Sequence, residues 1–220
     1  MFGQDNHVVL ASRIESLSPG IRYYDAVINA LTEHRAMLDA ALTQLMMRSG
    51  ILTEVAVRLV ETLRSGHKVL IAGNGGSAAE AQHFAAELVG RFKRERAPYA
   101  VLSLTTDTSI LTAIANDYGY HDVFARQVSA LGQAGDLFVA FSTSGESGNL
   151  VRAAKAARQC QVSVVAITGN RPSRLGRLAE LTVHVPVTNT AFAQELHMIV
   201  THILCDIAES ELSARKGDAS

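Results

Sequence analysis

The sequence predicts an α/β protein built on a parallel β-sheet with helices on both faces. Five short apolar runs alternate with segments of helical periodicity, and each run is apolar at nearly every position. Strands that are buried on both faces show this continuous pattern, whereas half-exposed strands alternate with polar residues. The predicted strands cover residues 68–72, 100–104, 137–141, 162–167 and 181–185. Because ligands bind beyond the carboxyl ends of such strands, we expect function where each strand ends.

Helical spacing of apolar residues fills the stretches between these strands and the stretch before the first. The predicted helices cover about 21–48, 52–65, 77–90, 108–130, 147–159, 173–178 and 191–212. The first helix is long and carries an apolar stripe, so it needs a partner surface, for which a second copy of the chain is a candidate. We expect an N-terminal extension over 1–20, a single domain over 21–212 and a C-terminal tail over 213–220.

Composition and charge exclude several classes of protein. The chain has 220 residues, of which 48% are hydrophobic and 19% charged, a composition that suits one globular domain. The net charge of −1 gives no electrostatic reason to expect direct nucleic-acid binding. Cys160 and Cys205 form no CxxC pair, so neither a disulfide framework nor a cysteine zinc site is expected. Without a signal-peptide pattern or a membrane-length apolar stretch, we expect a cytoplasmic protein with no membrane partner.

Two loops rich in glycine and serine follow the first and third predicted strands and lead directly into helices. Residues 73–77 read GNGGS, and residues 142–147 read STSGES. Hydroxyls and free backbone N–H groups at a helix N-terminus bind anions, and glycine lets the backbone approach a phosphate closely. One such loop is equally well explained as a tight turn with a hydroxyl cap. Two of them on neighbouring strands favour a phosphate site.

Two nucleotide-binding motifs overlap the first loop and fit it less well. Gly73, Gly75 and Ala78 have the spacing of a dinucleotide fingerprint. That fingerprint needs an acidic residue about 20 residues further on, at the end of the next strand. Residues 103–106 read SLTT there, and Asp107 comes later. A P-loop is excluded because no lysine follows the glycines.

Titratable and amide side chains cluster on two predicted helices. His83 and Glu87 are separated by one helical turn, so they share a helix face and could share a metal ion or a proton. A plain surface pair is the more common explanation of such spacing. In the last helix Gln194 and His202 share a face, whereas His197 is rotated away and is interpreted as an interfacial or core histidine.

Four stretches of the chain together resemble the sugar isomerase (SIS) family, and within it the phosphoheptose isomerases. They are residues 73–92, 111–128, 141–158 and 193–207. The resemblance covers about residues 21–212. It implies the SIS fold, a flavodoxin-like three-layer sandwich with a five-stranded parallel sheet flanked by helices and with long N-terminal helices.

The resemblance also implies an activity. Phosphoheptose isomerases interconvert sedoheptulose 7-phosphate and glycero-manno-heptose 7-phosphate through an enediol(ate), for the biosynthesis of surface polysaccharides. The family members are cytoplasmic homotetramers with one zinc ion per subunit, although nitrogen and oxygen ligands also suit other divalent ions. By motif position, Glu87 is implied as the general base and His202 as the general acid. The implied metal ligands are His83, Glu87, Gln194 and His202.

A set of substrate-binding residues follows from the same resemblance. They are Asn74, Gly75, Gly76, Ser77, Glu87, Asn116, Asp117, Ser142, Thr143, Ser144, Ser147 and Gln194. The hydroxyl side chains of the second loop are expected to hold the phosphate. The polar turn at 116–117, considered alone, predicts either a helix terminus or a contact to sugar hydroxyls. Residues 191–193 depart from the family's arginine-containing pattern, so we expect a polar contact to be missing there.

Two non-catalytic alternatives belong to the same family. Some SIS proteins bind the bacterial replication initiator, and the segments AQHFAA and LTAIAND resemble theirs as well. Those proteins lack the acid at the position of Glu87 and the histidine at the position of His202, and this chain has both. A sugar-phosphate sensor would keep the loop at 142–147 but make no use of Glu87. The two retained residues favour catalysis.

Overall fold

Five parallel strands form one sheet in this computed structural model, which describes residues 19–213. The strands are β1 (Val69–Gly73), β2 (Val101–Ser103), β3 (Leu137–Ser142), β4 (Ser163–Thr168) and β5 (Leu181–His184). Their order across the sheet is β2-β1-β3-β4-β5, and every neighbouring pair is parallel. The predicted parallel sheet is confirmed, and this strand order is that of flavodoxin-like folds.

The described residues form eight α-helices and one short 3₁₀-helix at Tyr120–Asp122. The α-helices are α1 (Pro19–Met47), α2 (Ser49–Arg64), α3 (Gly76–Val89), α4 (Thr108–Asp117), α5 (Ala125–Leu131), α6 (Gly148–Gln159), α7 (Arg174–Leu178) and α8 (Thr190–Ser213). The expected extension falls almost entirely, and the expected tail largely, outside the described residues.

The helical stretch predicted over 108–130 is interrupted, and its first helix ends at the polar turn predicted at 116–117. The structure divides this stretch into α4, the 3₁₀-helix and α5. The break lies at Gly119, whose φ of 91° is in the left-handed region that side chains with a β-carbon avoid. The apolar periodicity continues on both sides of the glycine, which is why the predicted helical stretch extended to residue 130.

Two apolar layers explain why the strands are apolar throughout. On β1, Val69 and Ile71 pack into a cluster with residues of α2, α3 and α8. Leu70 and Ala72 point the other way and join a cluster supplied by α4, α5, α6 and α7. Every residue of β1 and of β3 is buried. The molecule therefore contains the expected α/β/α sandwich, in which both faces of β1 and β3 are covered.

Contacts within the chain divide it into two units, Met1–Thr43 and Gln44–Ser220. The described part of the first unit belongs to α1, and several large apolar side chains there are more than a third exposed. They are Ile21, Tyr23, Tyr24, Val27, Ile28 and Leu31. The second unit contains the sheet and helices α2 to α8. Within residues 19–213, no helix combines the length and the apolarity that crossing a membrane requires.

Candidate active site

The strand order places the candidate site where the sheet changes its direction of growth. From β1 the chain proceeds to β2 on one side, and β3 lies against the other side of β1. Open parallel sheets bind ligands at this switch point, beyond the carboxyl ends of the strands. Gly73 and Phe141 are paired at the ends of β1 and β3. The loops at 73–77 and 142–147 therefore emerge side by side.

A cavity of about 180 Å³ lies between these two loops. Its walls carry mainly hydroxyl and amide groups. The lining residues are Asn74, Ser77, Phe141, Ser142, Thr143, Ser144, Ser147, Thr190 and Gln194. Apart from Phe141 and Thr190, each of them was predicted from the sequence as a substrate-binding residue. The structure thus brings most of that set to one place, where neutral hydrogen-bonding groups can surround an anion.

Local hydrogen bonds shape the loop that follows β3. The Ser142 hydroxyl oxygen accepts from the Gly145 N–H at 3.0 Å and lies 3.4 Å from the Ser147 hydroxyl. Gly145 has a φ of 65°, so only glycine adopts this turn without strain. The Ser144 hydroxyl oxygen accepts from the Glu146 N–H at 3.2 Å. These contacts gather hydroxyls on one side of a tight loop.

The one carboxylate of this loop is paired outside the cavity lining. Arg174 donates to Glu146 from its backbone N–H at 2.8 Å and from its guanidinium at 2.6 Å. These hydrogen bonds, backbone first, hold the pKa of Glu146 below its usual range. The negative charge of Glu146 is thus compensated by α7, which lowers its repulsion of an anion bound between the loops.

A polar network supports the loop that follows β1. Asn74 and Asn149 exchange amide hydrogen bonds of 3.0 and 2.8 Å, and the Tyr120 hydroxyl donates to the Asn74 carbonyl oxygen at 3.1 Å. Asn149 also accepts from the N–H of Leu150. Sequence reasoning identified Asn74 but missed Asn149 and Tyr120. The segments 141–158 and 111–128 contained them, yet no local spacing rule connects either residue with Asn74.

Asn116 and Asp117 lie apart from these cavity walls. Both are exposed in the last turn of α4, where the Asn116 amide donates to the Asp117 carboxylate at 2.8 Å. Neither residue lines any of the cavities described in this section. The polar turn ends a helix, as one of the two predictions had it. Its contact with substrate stays a prediction.

Three side chains with metal-ligating atoms, those of His83, Glu87 and His202, lie close together between α3 and α8. The Nε2 atom of His83 is 2.9 Å from Nε2 of His202 and 3.2 Å from a carboxylate oxygen of Glu87. One ligand atom from each residue lies within 4.8 Å of the others, and all three side chains are partly buried. At 2.9 Å the two imidazole nitrogens are at hydrogen-bond distance, so one ring donates and the other accepts. Imidazole and carboxylate donors suit a divalent transition metal, so these residues fit a zinc ion.

Gln194 lies between this cluster and the cavity formed by the loops at 73–77 and 142–147. A second cavity of about 540 Å³ is lined by Gly76, Glu80, His83 and Gln194 among others, and Gln194 also lines the first cavity. A β-carbon at Gly76 would overlap the Gln194 amide, so glycine is what permits this approach. The amide of Gln194 therefore lies between His83 and the two loops at 73–77 and 142–147.

Two further residues border the cluster and were missed by sequence reasoning. The Phe92 ring stacks on His202 with centroids 5.4 Å apart and an interplanar angle of 21°. Cys205 is fully buried, and burial followed by the nearby Glu87 charge raises the pKa of its thiol far above the usual range. Its side chain packs in the apolar cluster formed with α2 and α3. Phe92 closes the segment 73–92, but its sequence position gave no hint of the ring contact.

The sequence pattern of the SIS domain matches residues 27–169. The phosphoheptose isomerase of Roseiflexus sp. (strain RS-1) is 47% identical over 182 residues, which cover 83% of this chain and 92% of that protein. The phosphoheptose isomerase of Helicobacter hepaticus is 47% identical over 180 residues, 82% of this chain and 91% of that protein. With the fold and the loops described above, these matches define a SIS-domain protein.

Solved structures narrow the assignment. The phosphoheptose isomerase GmhA from Neisseria gonorrhoeae has a TM-score of 0.78 and 39% identity, and the match covers 86% of this chain and 99% of that one. A phosphoheptose isomerase from Francisella tularensis has a TM-score of 0.75 and 32% identity, covering 82% and 98%. The chain belongs to the phosphoheptose isomerase family.

Proposed function

We propose that this chain interconverts sedoheptulose 7-phosphate and glycero-manno-heptose 7-phosphate, a step that supplies heptose for surface polysaccharides. As a member of its family, the chain is an aldose–ketose isomerase. The observation that carries the choice of catalytic residues is the convergence of His83, Glu87 and His202. A carboxylate and an imidazole within a few ångströms are the groups that proton transfer between neighbouring carbons requires.

The proposed reaction moves one proton between carbons and one between oxygens. Starting from the aldose, the Glu87 carboxylate removes the proton on C2. The electrons of the broken C2–H bond form the C1–C2 double bond, while His202 protonates the carbonyl oxygen O1. The enediol then gives the proton of O2 back to His202. Glu87 returns its proton to C1, which leaves the carbonyl at C2. Each residue ends in its starting protonation state, so the cycle is balanced.

His83, Glu87, Gln194 and His202 are proposed to hold one zinc ion per subunit, although their nitrogen and oxygen donors also suit other divalent ions. When bound, such a cation supplies positive charge that stabilises oxygen anions of the substrate. Gln194 supports this proposal by its location beside both cavities. His83 supports it by its short distances to His202 and Glu87.

The loop hydroxyls are proposed to anchor the phosphate, remote from the bond changes. Ser144→Ala is expected to raise KM for the sugar phosphate by about ten- to a hundredfold, with a smaller change in kcat, because one charge-assisted hydrogen bond of about 1.5–3 kcal/mol is lost. Steady-state kinetics measures this split. Ser129→Ala, an exposed serine on α5, is the matched control and should behave like the parent. An unchanged KM in Ser144→Ala would mean that the loop is only a turn.

Metal removal tests the activity itself. The purified protein is stripped with a chelator, dialysed and incubated with sedoheptulose 7-phosphate, with or without added zinc. NMR then follows the appearance of the aldose phosphate. We expect product only when zinc or another divalent ion is restored. If no product forms under any metal condition while the sugar phosphate raises the melting temperature, the chain is a binding protein rather than an isomerase.

A homotetramer is proposed as the working assembly. The exposed apolar side chains of α1, such as Tyr23 and Leu31, support it, because a large apolar stripe is stabilised by contact with another protein surface. Light scattering of the purified chain would give the number of copies. The cytoplasmic location remains a prediction from the sequence.

A further inference from the structure

A buried carboxylate ties the segment that follows α3 to helix α8. Glu209 is fully buried on α8 and accepts three backbone N–H groups, those of Phe92 at 2.9 Å, Lys93 at 2.7 Å and Arg94 at 2.9 Å. The guanidinium of Arg96 donates to the same carboxylate at 3.1 Å. Both carboxylate oxygens are used. One side chain thus binds the backbone of residues 92–94 and the guanidinium of Arg96.

Glu209 is held in its charged form. Burial raises the pKa of Glu209, but the hydrogen bonds from the three backbone N–H groups and the Arg96 charge outweigh burial and keep it below the usual range. The Arg96 side chain is only 5% exposed, so the pair is removed from water. Apolar side chains in place of Glu209 and Arg96 would join the helix to the loop at a smaller desolvation cost than this buried charged pair. Hydrogen bonds with defined directions add a precise placement of the loop backbone.

Arg96 links Glu209 to the helical turn that contains Glu87. Its guanidinium donates to the backbone carbonyl of Glu87 at 2.8 Å and to that of Gly90 at 2.9 Å, and it stacks over Tyr99 at 4.1 Å. Glu87 lies in the last turn of α3, where carbonyl groups lack partners within the helix and the helix tends to fray. A cation that binds these carbonyls stabilises that turn.

Phe92 links Glu209 to His202. The Phe92 ring stacks on the imidazole of His202, and the Phe92 N–H is one of the three groups that Glu209 binds. His202 and Glu209 are seven residues apart on α8, so they share one face of the helix. Both therefore face the same segment. The position of the ring over His202 depends on the backbone that Glu209 fixes.

We propose that Glu209 is a positioning residue that holds Glu87 and His202 in their reactive arrangement through residues 91–96. Glu209 is not one of the proposed substrate-binding residues or metal ligands, and its carboxylate binds the segment instead. Its effect on the reaction rests on the proposed function, whereas its effect on metal affinity can be measured without turnover. A supporting partner of a metal ligand typically affects metal affinity or activity by about 10–100-fold.

Glu209→Gln tests the proposal. The amide keeps the shape but presents N–H groups to a cluster of N–H donors, so the segment loses its anchor. We expect kcat to fall by at least about tenfold with KM changed less than about twofold, and the zinc affinity of the metal-free protein to weaken by about tenfold. A competing fluorescent chelator measures zinc affinity. Merely lower stability would not separate kcat from KM at temperatures where the variant is folded.

Asp206→Asn is the matched control. Asp206 lies on α8 and accepts from the Lys93 and Arg94 side chains of the same segment, but its side chain is 40% exposed and binds no backbone N–H there. This variant removes one charge facing the segment and leaves the anchor intact, so kcat and zinc affinity should stay within about twofold of the parent. An equal loss in both variants would make charge, not positioning, the cause and would overturn the proposal.

Phe92→Leu provides a second route if Glu209→Gln does not fold. It keeps the backbone N–H that Glu209 binds and removes the ring face over His202, so kcat and zinc affinity should fall by about tenfold. A folded Glu209→Gln, or failing that a folded Phe92→Leu, with both values within twofold of the parent overturns the proposal. Should the parent itself fail to convert sedoheptulose 7-phosphate, the proposed function fails and zinc affinity alone decides the role of Glu209.

Discussion

Glu87→Gln is expected to lower kcat by about 10²- to 10⁴-fold, the usual contribution of a general base. The amide has nearly the same shape as the carboxylate but cannot take a proton from carbon. Because the Glu87 side chain is partly exposed and is replaced by a similar one, the fold should be retained. Binding of the phosphate between the two loops should also be retained. NMR of the product and thermal shifts with substrate measure both properties on one preparation.

Glu95→Gln is the matched control for this substitution. Glu95 follows α3 by a few residues, is 91% exposed and pairs only loosely with Arg91 at 3.8 Å. It should leave kcat within about twofold of the parent, as expected for an exposed pair. Because Glu87 is also a proposed metal ligand, both variants are assayed at saturating zinc. Turnover by Glu87→Gln at the parental rate would falsify its assignment as the base.

Sequence patterns alone predicted most of the fold and the positions of the two loops. Continuous apolar runs such as 137–141 are typical of strands with both faces covered, and their alternation with helical segments predicted the parallel sheet and its helical layers. The loops at 73–77 and 142–147 were recognisable from their residue types. Glycine indicates a tight backbone conformation, and the hydroxyl side chains indicate hydrogen-bonding capacity. His83 and Glu87 were linked because their spacing within one helix is a local property.

Contacts between distant segments could not be reached in this way. His202 meets His83 only because α8 packs against α3, and no periodicity relates positions 119 residues apart. The resemblance to a family suggested this meeting, but the sequence pattern alone did not. The amide pair of Asn74 and Asn149 and the Phe92 ring over His202 are contacts of the same kind. In each case the sheet order and the helix packing, not the residue type, select the partner.

His197 shows how a residue judged structural acquires a specific partner. The histidine is fully buried, as the interpretation of a core residue expected, and its Nδ1 lies 3.3 Å from a carboxylate oxygen of Glu80. The pair joins α3 to α8 between the Gly76–Gln194 approach and the His83–His202 contact. Within residues 19–213, Nε2 of His197, the second oxygen of Glu80 and the Thr201 hydroxyl have no hydrogen-bond partner.

Glu80→Ala is expected to lower the free energy of unfolding by about 3–5 kcal/mol, because it leaves the buried imidazole without its acceptor. Urea unfolding at a fixed protomer concentration measures this change, since assembly also contributes to stability. Glu54→Ala, which removes an exposed glutamate from α2, is the matched control and should change stability by less than about 0.5 kcal/mol.

The double variant Glu80→Leu with His197→Leu separates a charged or hydrogen-bonded pair from a simple loss of packing. Replacing both partners by apolar residues leaves no unpaired buried group, so most of the lost stability should return. The double variant should then be more stable than Glu80→Ala by about 2 kcal/mol or more, and the four unfolding energies of a cycle built from Leu variants should be non-additive. Additive losses would show that the two side chains contribute independently and that their short distance carries no coupling. Retained stability with lost zinc affinity in the double variant would mean that the pair sets the spacing of α3 and α8 at His83, Glu87 and His202, the proposed metal ligands.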